Sequence, residues 1–173
     1  MKLRRLVSSA CLVAVGLGAA SSAQAETVRG LQQAQHVVRA AGLRPTPLFP
    51  QQEVPMWIRR LSRAEVTIDG QRFVVNLPLA GNGYVMFSRG RKSALANDLR
   101  VARLKRIPTP RRQFGNRLVY SLCEIACGYE WHEQGFAYAV FARPGTERAV
   151  YDRAYRSLPR IIAGLTTLAS PAD

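Results

Sequence analysis

Apolar residues Val28, Leu31, Ala34, Val38 and Ala41 recur at intervals of three and four, the period that places them on one face of a helix. Thr27 in front of them has the side-chain oxygen of a helix cap, and Gly42 behind them has the backbone freedom of a helix stop. The pattern predicts a short amphipathic helix. Prolines at 45, 47, 50 and 55 then forbid a regular helix between Leu43 and Trp57. That stretch is expected as an extended connection laid over a sheet and pinned by Phe49, Met56 and Trp57.

Further along, the period changes to two. Residues 65–68 and 73–77 alternate as strands across the turn pair Asp69-Gly70, a strong hairpin signal. Further strands are expected at 84–87, 99–104, 117–122, 129–133 and 136–141. Pro108 and Pro110 end the second of these, Gln134-Gly135 turns the last two, and Pro144-Gly145 closes the sheet. The helical period returns over residues 147–168, where Val150, Ala154, Leu158, Ile161, Ile162 and Leu165 form an apolar stripe that Pro159 is expected to kink or split. The order predicts an α+β fold. Its expected form is a single antiparallel β-sheet of about five to seven strands, meander-like, with an N-terminal helix and a C-terminal helix packed on one face.

The first 25 residues follow neither period. Lys2, Arg4 and Arg5 precede an apolar run over residues 6–20 that ends in Ala23-Gln24-Ala25, the arrangement of a cleaved export signal. Residues 26–168 are then expected as one α+β domain and 169–173 as a disordered tail. The 148 residues left are enough for one core and too few for two ordinary domains. The competing reading is a retained membrane anchor. Residues 6–23 fall short of the ~20 apolar residues of a spanning helix and contain Ser8, Ser9, Ser21 and Ser22. A lipid-accepting cysteine is a weaker reading, because Cys11 precedes most of the apolar run. With the leader removed no transmembrane segment remains, and the protein is placed in the periplasm or outside the cell.

Losing the leader changes the chemistry of what is left. Cys11 goes with it, so only Cys123 and Cys127 remain, and two thiols in an oxidising compartment are expected to bond to one another. Four residues of straight strand span about 13 Å, whereas a disulfide needs Cα atoms within about 7 Å. The chain must therefore reverse between them, with residues 124–126 as a hairpin loop and Gly128 relaxing the backbone beyond it. A redox-active dithiol is the sharper alternative, but the spacing is Cys-x-x-x-Cys rather than Cys-x-x-Cys. A metal site from Cys123, Cys127 and His132 lacks a fourth ligand.

The formal charge falls from +14 to +11 with the three basic residues of the leader. That balance draws a protein towards anionic surfaces, with an attraction that salt weakens. Arg100, Arg103, Lys105, Arg106, Arg111 and Arg112 are the candidate contacts for an anionic partner. No aromatic residues are interleaved with them as base-stacking platforms, and nucleic acid is the partner an exported protein rarely meets. A solvated basic face remains the simpler reading of the same residues.

Catalytic groups are sparse. There is no Gly-x-Ser-x-Gly elbow, no His-Glu-x-x-His helix and no cofactor motif, and the glycines at 81, 83 and 90 lack the rest of a phosphate loop. Glu130, His132 and Glu133 lie close together, with alternation placing Glu130 and His132 opposite Trp131, on a face expected to meet solvent. The run Trp131-His132-Glu133-Gln134-Gly135-Phe136-Ala137-Tyr138 resembles the last hairpin of small sheet domains in uncharacterised exported bacterial proteins. Pro47-Leu48-Phe49-Pro50 adds to the likeness. The resemblance implies an extracytoplasmic sensing or binding module and carries over no catalytic residue.

The function expected from these readings is an exported, noncatalytic binding or interaction module of the cell envelope or secreted fraction. Its partner is an unknown envelope protein or an anionic polymer, and its oligomeric state is open. Tyr120, Trp131 and Tyr138 are the candidate aromatics of a ligand face, with the core as their competing location. The alternatives are a basic protein adhering to acidic wall polymer or lipid headgroups, and a hydrolase or thiol-redox enzyme of unrecognised type.

Overall fold

Strands with one apolar face each must pair and then be covered on that face. A computed structural model describes residues 23–50, 54–91, 111–123 and 126–168. The strand expected at 99–104, the tail at 169–173 and residues 1–22 of the leader lie outside the described residues. Among the described residues the main sheet has eight strands: β1 (Gln24–Val28), β3 (Ala64–Asp69), β4 (Arg72–Pro78), β5 (Tyr84–Gly90), β6 (Arg111–Phe114), β7 (Arg117–Cys123), β8 (Cys127–Glu133) and β9 (Phe136–Arg143). They run in the order β1-β3-β4-β5-β9-β8-β7-β6, each pair antiparallel. Two further short strands, β2 (Leu48–Pro50) and β10 (Leu165–Thr167), form a separate antiparallel pair. The helices are α1 (Gly30–Ala40), the single turn α2 (Met56–Arg59) and α3 (Arg148–Ala163).

The mixed α+β class and the antiparallel pairing agree with the pattern, and four details correct it. The sheet has eight strands instead of five to seven. It consists of two meanders joined where β5 meets β9. Thr27 lies in β1 and caps nothing, and α1 begins at Gly30. Gly30 has φ +66°, and a Cβ there would come within 2.6 Å of the Leu61 carbonyl oxygen, so only glycine fits the corner between strand and helix. Finally, the C-terminal helix stops at Ala163 and the chain turns into β10. Pro159 stays inside α3 without splitting it, because Ala154, Leu158, Ile161 and Ile162 on both sides of the proline enter the same core. β1 also starts two residues before the expected cleavage point, with Gln24 opposite Ile68 and Ala25 opposite Thr67.

One core lies between the sheet and the helices. Leu31, Ala34 and Val38 of α1 join it beside Val66, Phe73 and Val75, and α3 joins it beside Tyr129, Val140 and Ala142. Phe49 of β2 is buried at the centre, edge-on to Phe87 at 5.6 Å and 6.3 Å from Phe73. Burying such a side chain contributes about 1.5–3 kcal/mol. The proline-rich connection is thus part of the core, as Phe49 predicts, whereas Met56 is exposed.

Two arginines tie the non-sheet segments to the sheet. Arg89 is fully buried. Its Nη1 donates to the Pro45 carbonyl at 2.6 Å, Nη2 to the Arg44 carbonyl at 3.2 Å and to Gln71 Oε1 at 3.1 Å, and Nε to the Gln71 carbonyl at 3.2 Å. The Phe136 ring lies 4.0 Å from its guanidinium carbon, close enough for a cation–π contact. Arg117 does the same at the other end of the core. Its Nη1 and Nη2 donate to the carbonyls of Ile162 and Leu165 at 3.0 and 3.2 Å, satisfying an acceptor that the last turn of α3 leaves open and one in the β10 strand after it. Its Nε pairs with Glu133 at 2.8 Å, and Trp131 Nε1 donates to the same carboxylate oxygen at 3.1 Å.

Replacing Arg89 leaves buried carbonyls without donors, so Arg89→Met is expected to lower stability by about 2–4 kcal/mol. Arg89→Lys should restore little of that, because an ammonium cannot reproduce the planar fork. Urea unfolding checks both, and unchanged midpoints would show that the Arg44–Pro45 connection is held by other contacts.

Candidate functional site

The sheet face opposite the helices carries every second residue of the same strands. Antiparallel register puts Ser88 beside Ala139 and Gly90 beside Ala137, and side chains this small leave the face dished. Larger residues bound the dip, with Val74 opposite Ser88 on β4, and Met86 opposite Phe141. Glu130 stands opposite Ala139 on β8. At the open end lie Asp69, Arg72 and Arg91, all exposed. Together these residues line a hollow of about 520 Å³, inside the range of small-ligand sites.

The candidate residues fall in different places. Trp131 and Tyr138 are buried in the helix-covered core, stacked at 5.5 Å, whereas Tyr120 pairs with Glu130 on the opposite face. The three aromatics do not form one ligand surface. Arg111 stacks over Tyr120 at 5.2 Å, and alternation along β6 turns Arg112 to the other face of the sheet. These two cations do not share a patch, and Arg100, Arg103, Lys105 and Arg106 lie outside the described residues.

Glu130, His132 and Glu133 do not converge either. The Glu133 carboxylate is held by Arg117 and Trp131 on the core side of the sheet. His132 is exposed. Glu130 is 1% exposed and engaged in an interaction of its own, which corrects the expectation that its face meets solvent.

Cys123 and Cys127 form a disulfide and stand opposite one another in the β7–β8 register, their Cα atoms 4.0 Å apart. The chain does reverse between them; residues 124–125 lie outside the described residues. Gly128 has a different reason from the one expected. A Cβ there would overlap the Val140 carbonyl oxygen and reach Phe141 Cα at 2.7 Å, so glycine is needed for the close approach of β9.

The residues of the hollow carry no recognisable motif, and sequence reasoning passed over Arg72, Ser88, Ala137 and Ala139 as a site. One signal was present: Ala137 and Ala139 alternate with Tyr138 and Val140, so one face of β9 is small while the other is large. Among the described residues, no helix is long and apolar enough to cross a membrane. Comparison with protein-family models, with curated proteins and with solved structures finds no match to this chain.

On the core side runs a line of tyrosines, Tyr129 and Tyr151 buried and Tyr155 half-buried. Tyr129 takes Phe114 edge-on at 4.9 Å and stacks with Tyr155 at 6.1 Å, their hydroxyls 3.5 Å apart. Burial, aided by the Tyr155 hydroxyl, pushes the Tyr129 phenol up to about 12. Burial also raises Tyr138 and Tyr151.

In the unfolded chain these phenols ionise near pH 10. Between that pH and about 12 the unfolded state therefore releases protons that the folded Tyr129 keeps, so its contribution is complete below pH 10 and is lost as pH rises through 12. Tyr129→Phe should flatten the loss of stability across that window in pH-dependent urea titrations. An unchanged slope would refute the assignment. The disulfide closes a very short loop, so Cys123→Ser with Cys127→Ser is expected to lower stability by about 2 kcal/mol by the loop-entropy relation. In the denatured, unreduced protein neither Cys123 nor Cys127 should react as a free thiol.

Proposed function

We propose that the protein is an exported, noncatalytic binding module of the cell envelope or secreted fraction, whose ligand sits in the hollow on the sheet face opposite the helices. The observation that carries this reading is the cluster of Ser88, Gly90, Ala137 and Ala139 at adjacent cross-strand positions. A sheet face built only for packing is filled by large apolar side chains, as the helix side is by Phe73, Phe87 and Tyr138. Here two adjacent strands, β5 and β9, bring small residues together and leave a ligand-sized space bounded by apolar walls and charged groups.

A binding role suits the chemistry of the lining. General acid–base work needs a titratable group within hydrogen-bond reach of substrate and a second group to orient it. Glu130 is buried and already engaged, Glu133 belongs to the core side, and His132 stands exposed. Export is supported by the basic and apolar leader ending in Ala23-Gln24-Ala25 and by the disulfide, a bond that persists in oxidising compartments.

Protein recovered from the exported fraction should release a small molecule on denaturation, detected by mass spectrometry of the extract. Ala139→Leu and Ser88→Leu each fill the hollow from a different strand, and either variant, if folded by circular dichroism, should release less than a tenth as much. Equal release from wild type and variants would place the bound molecule elsewhere and sink the proposal.

A further inference from the structure

The hollow changes character along the strands. Its first cross-strand rank pairs Gly90 with Ala137, flanked by Arg72 and Arg91; the second pairs Ser88 with Ala139, and the third pairs Met86 with Phe141. Successive ranks are two residues apart, so the run from the arginines to Phe141 is about 13 Å. One end is cationic and the other is apolar. Arg72 and Arg91 are exposed, and no carboxylate among the described residues forms an ion pair with either.

A third cation stands behind that end. Arg89 lies between Ser88 and Gly90 on β5, its side chain on the core face opposite Tyr138, and its hydrogen bonds run to the oxygens of Arg44, Pro45 and Gln71, all neutral. Its charge acts through the sheet without being cancelled, and a buried charge is screened less than one in water. Of the two acids in the lining, Asp69 is exposed at the rim, and Glu130 stands at the second rank in an interaction of its own.

Resting on the proposed hollow as the ligand seat, we infer that the ligand is a free single-chain amphipathic anion. Its carboxylate or phosphate headgroup meets Arg72 and Arg91, and its hydrocarbon chain lies over Ala139, Met86 and Phe141. Guanidinium forks match either headgroup with paired hydrogen bonds. The walls beyond them offer the chain nothing polar except the Ser88 hydroxyl and the engaged Glu130.

Calorimetric titration of the exported chain with dodecanoate, below its micelle concentration, tests this. Dodecanoate should bind. Decanoate should bind about 15-fold more weakly, since each methylene removed from an apolar site lowers affinity about fourfold. Arg72→Gln with Arg91→Gln, two changes at exposed positions, should weaken dodecanoate at least about tenfold, the loss of charge-assisted hydrogen bonds. Dodecyltrimethylammonium should bind far more weakly than dodecanoate. If it binds as tightly and Ala139→Leu abolishes it, the anion is wrong and the hollow stands. If dodecanoate binding survives in folded Ala139→Leu and Ser88→Leu, the hollow itself is wrong. Absence of dodecanoate binding at millimolar concentration overturns the inference, while release of a small molecule from the native protein still decides the hollow. Sedimentation with phosphatidylglycerol vesicles that dodecanoate does not compete away would overturn the free chain in favour of a membrane surface.

Discussion

A guanidinium buried among backbone carbonyls is the constraint on which the rest of this fold depends. Arg89 sits at the end of β5, one of the two strands that join the meanders, and binds the connection that leaves α1 through Arg44 and Pro45. That connection cannot bond to itself, because its prolines supply no donors and its extended backbone has no helical partner. Arg89 supplies the donors. With the connection fixed, Phe49 enters the core between Phe73 and Phe87, and Leu48 donates its N–H to the Tyr138 hydroxyl at 3.3 Å. Arg117 repeats the device at the end of α3, so both segments lying across the sheet are held by cations that reach up from it.

The same sheet serves two purposes through its two-residue period. Large side chains point to the helices and pack, while small ones at the intervening positions leave space. Tyr138 and Ala139 are neighbours in sequence, one filling the core and the other flooring the hollow. The hollow inherits its shape from a packed layer directly behind it, a rigid support for a binding surface.

Much of the fold was legible because its elements are periodic. The hairpins around Gly70 and around Gln134-Gly135 follow from alternation and turn chemistry, and Gln134 and Gly135 both take the positive φ that a two-residue hairpin loop asks for. Elements defined by pairing were not legible. β1 and β6 are edge strands, β1 exposed at four of its five positions, so neither has the apolar alternation that betrays a strand. β10 read as the end of a helix because Leu165 continues the stripe of α3, and only its pairing with β2 makes it a strand. Trp131 and Tyr138 drew attention as a ligand face because aromatics suit both binding and packing, and facing direction cannot be read from identity. The hollow stayed hidden for the opposite reason, since alanines and serines announce nothing until register sets them side by side.

The pairing of β2 with β10 carries a consequence for the order of assembly. Leu48 and Thr167 face one another, as do Pro50 and Leu165, and the Leu168 N–H bonds to the Pro47 carbonyl at 3.0 Å. Contacts between segments this far apart in the chain form late, because the intervening loop must close before they are rewarded. A ribosome makes β10 after α3 and every described strand of the large sheet, so Phe49 waits for all of them before its side of the core is sealed. A chain cut before Leu165 would keep every described strand of that sheet and still leave the aromatic centre open.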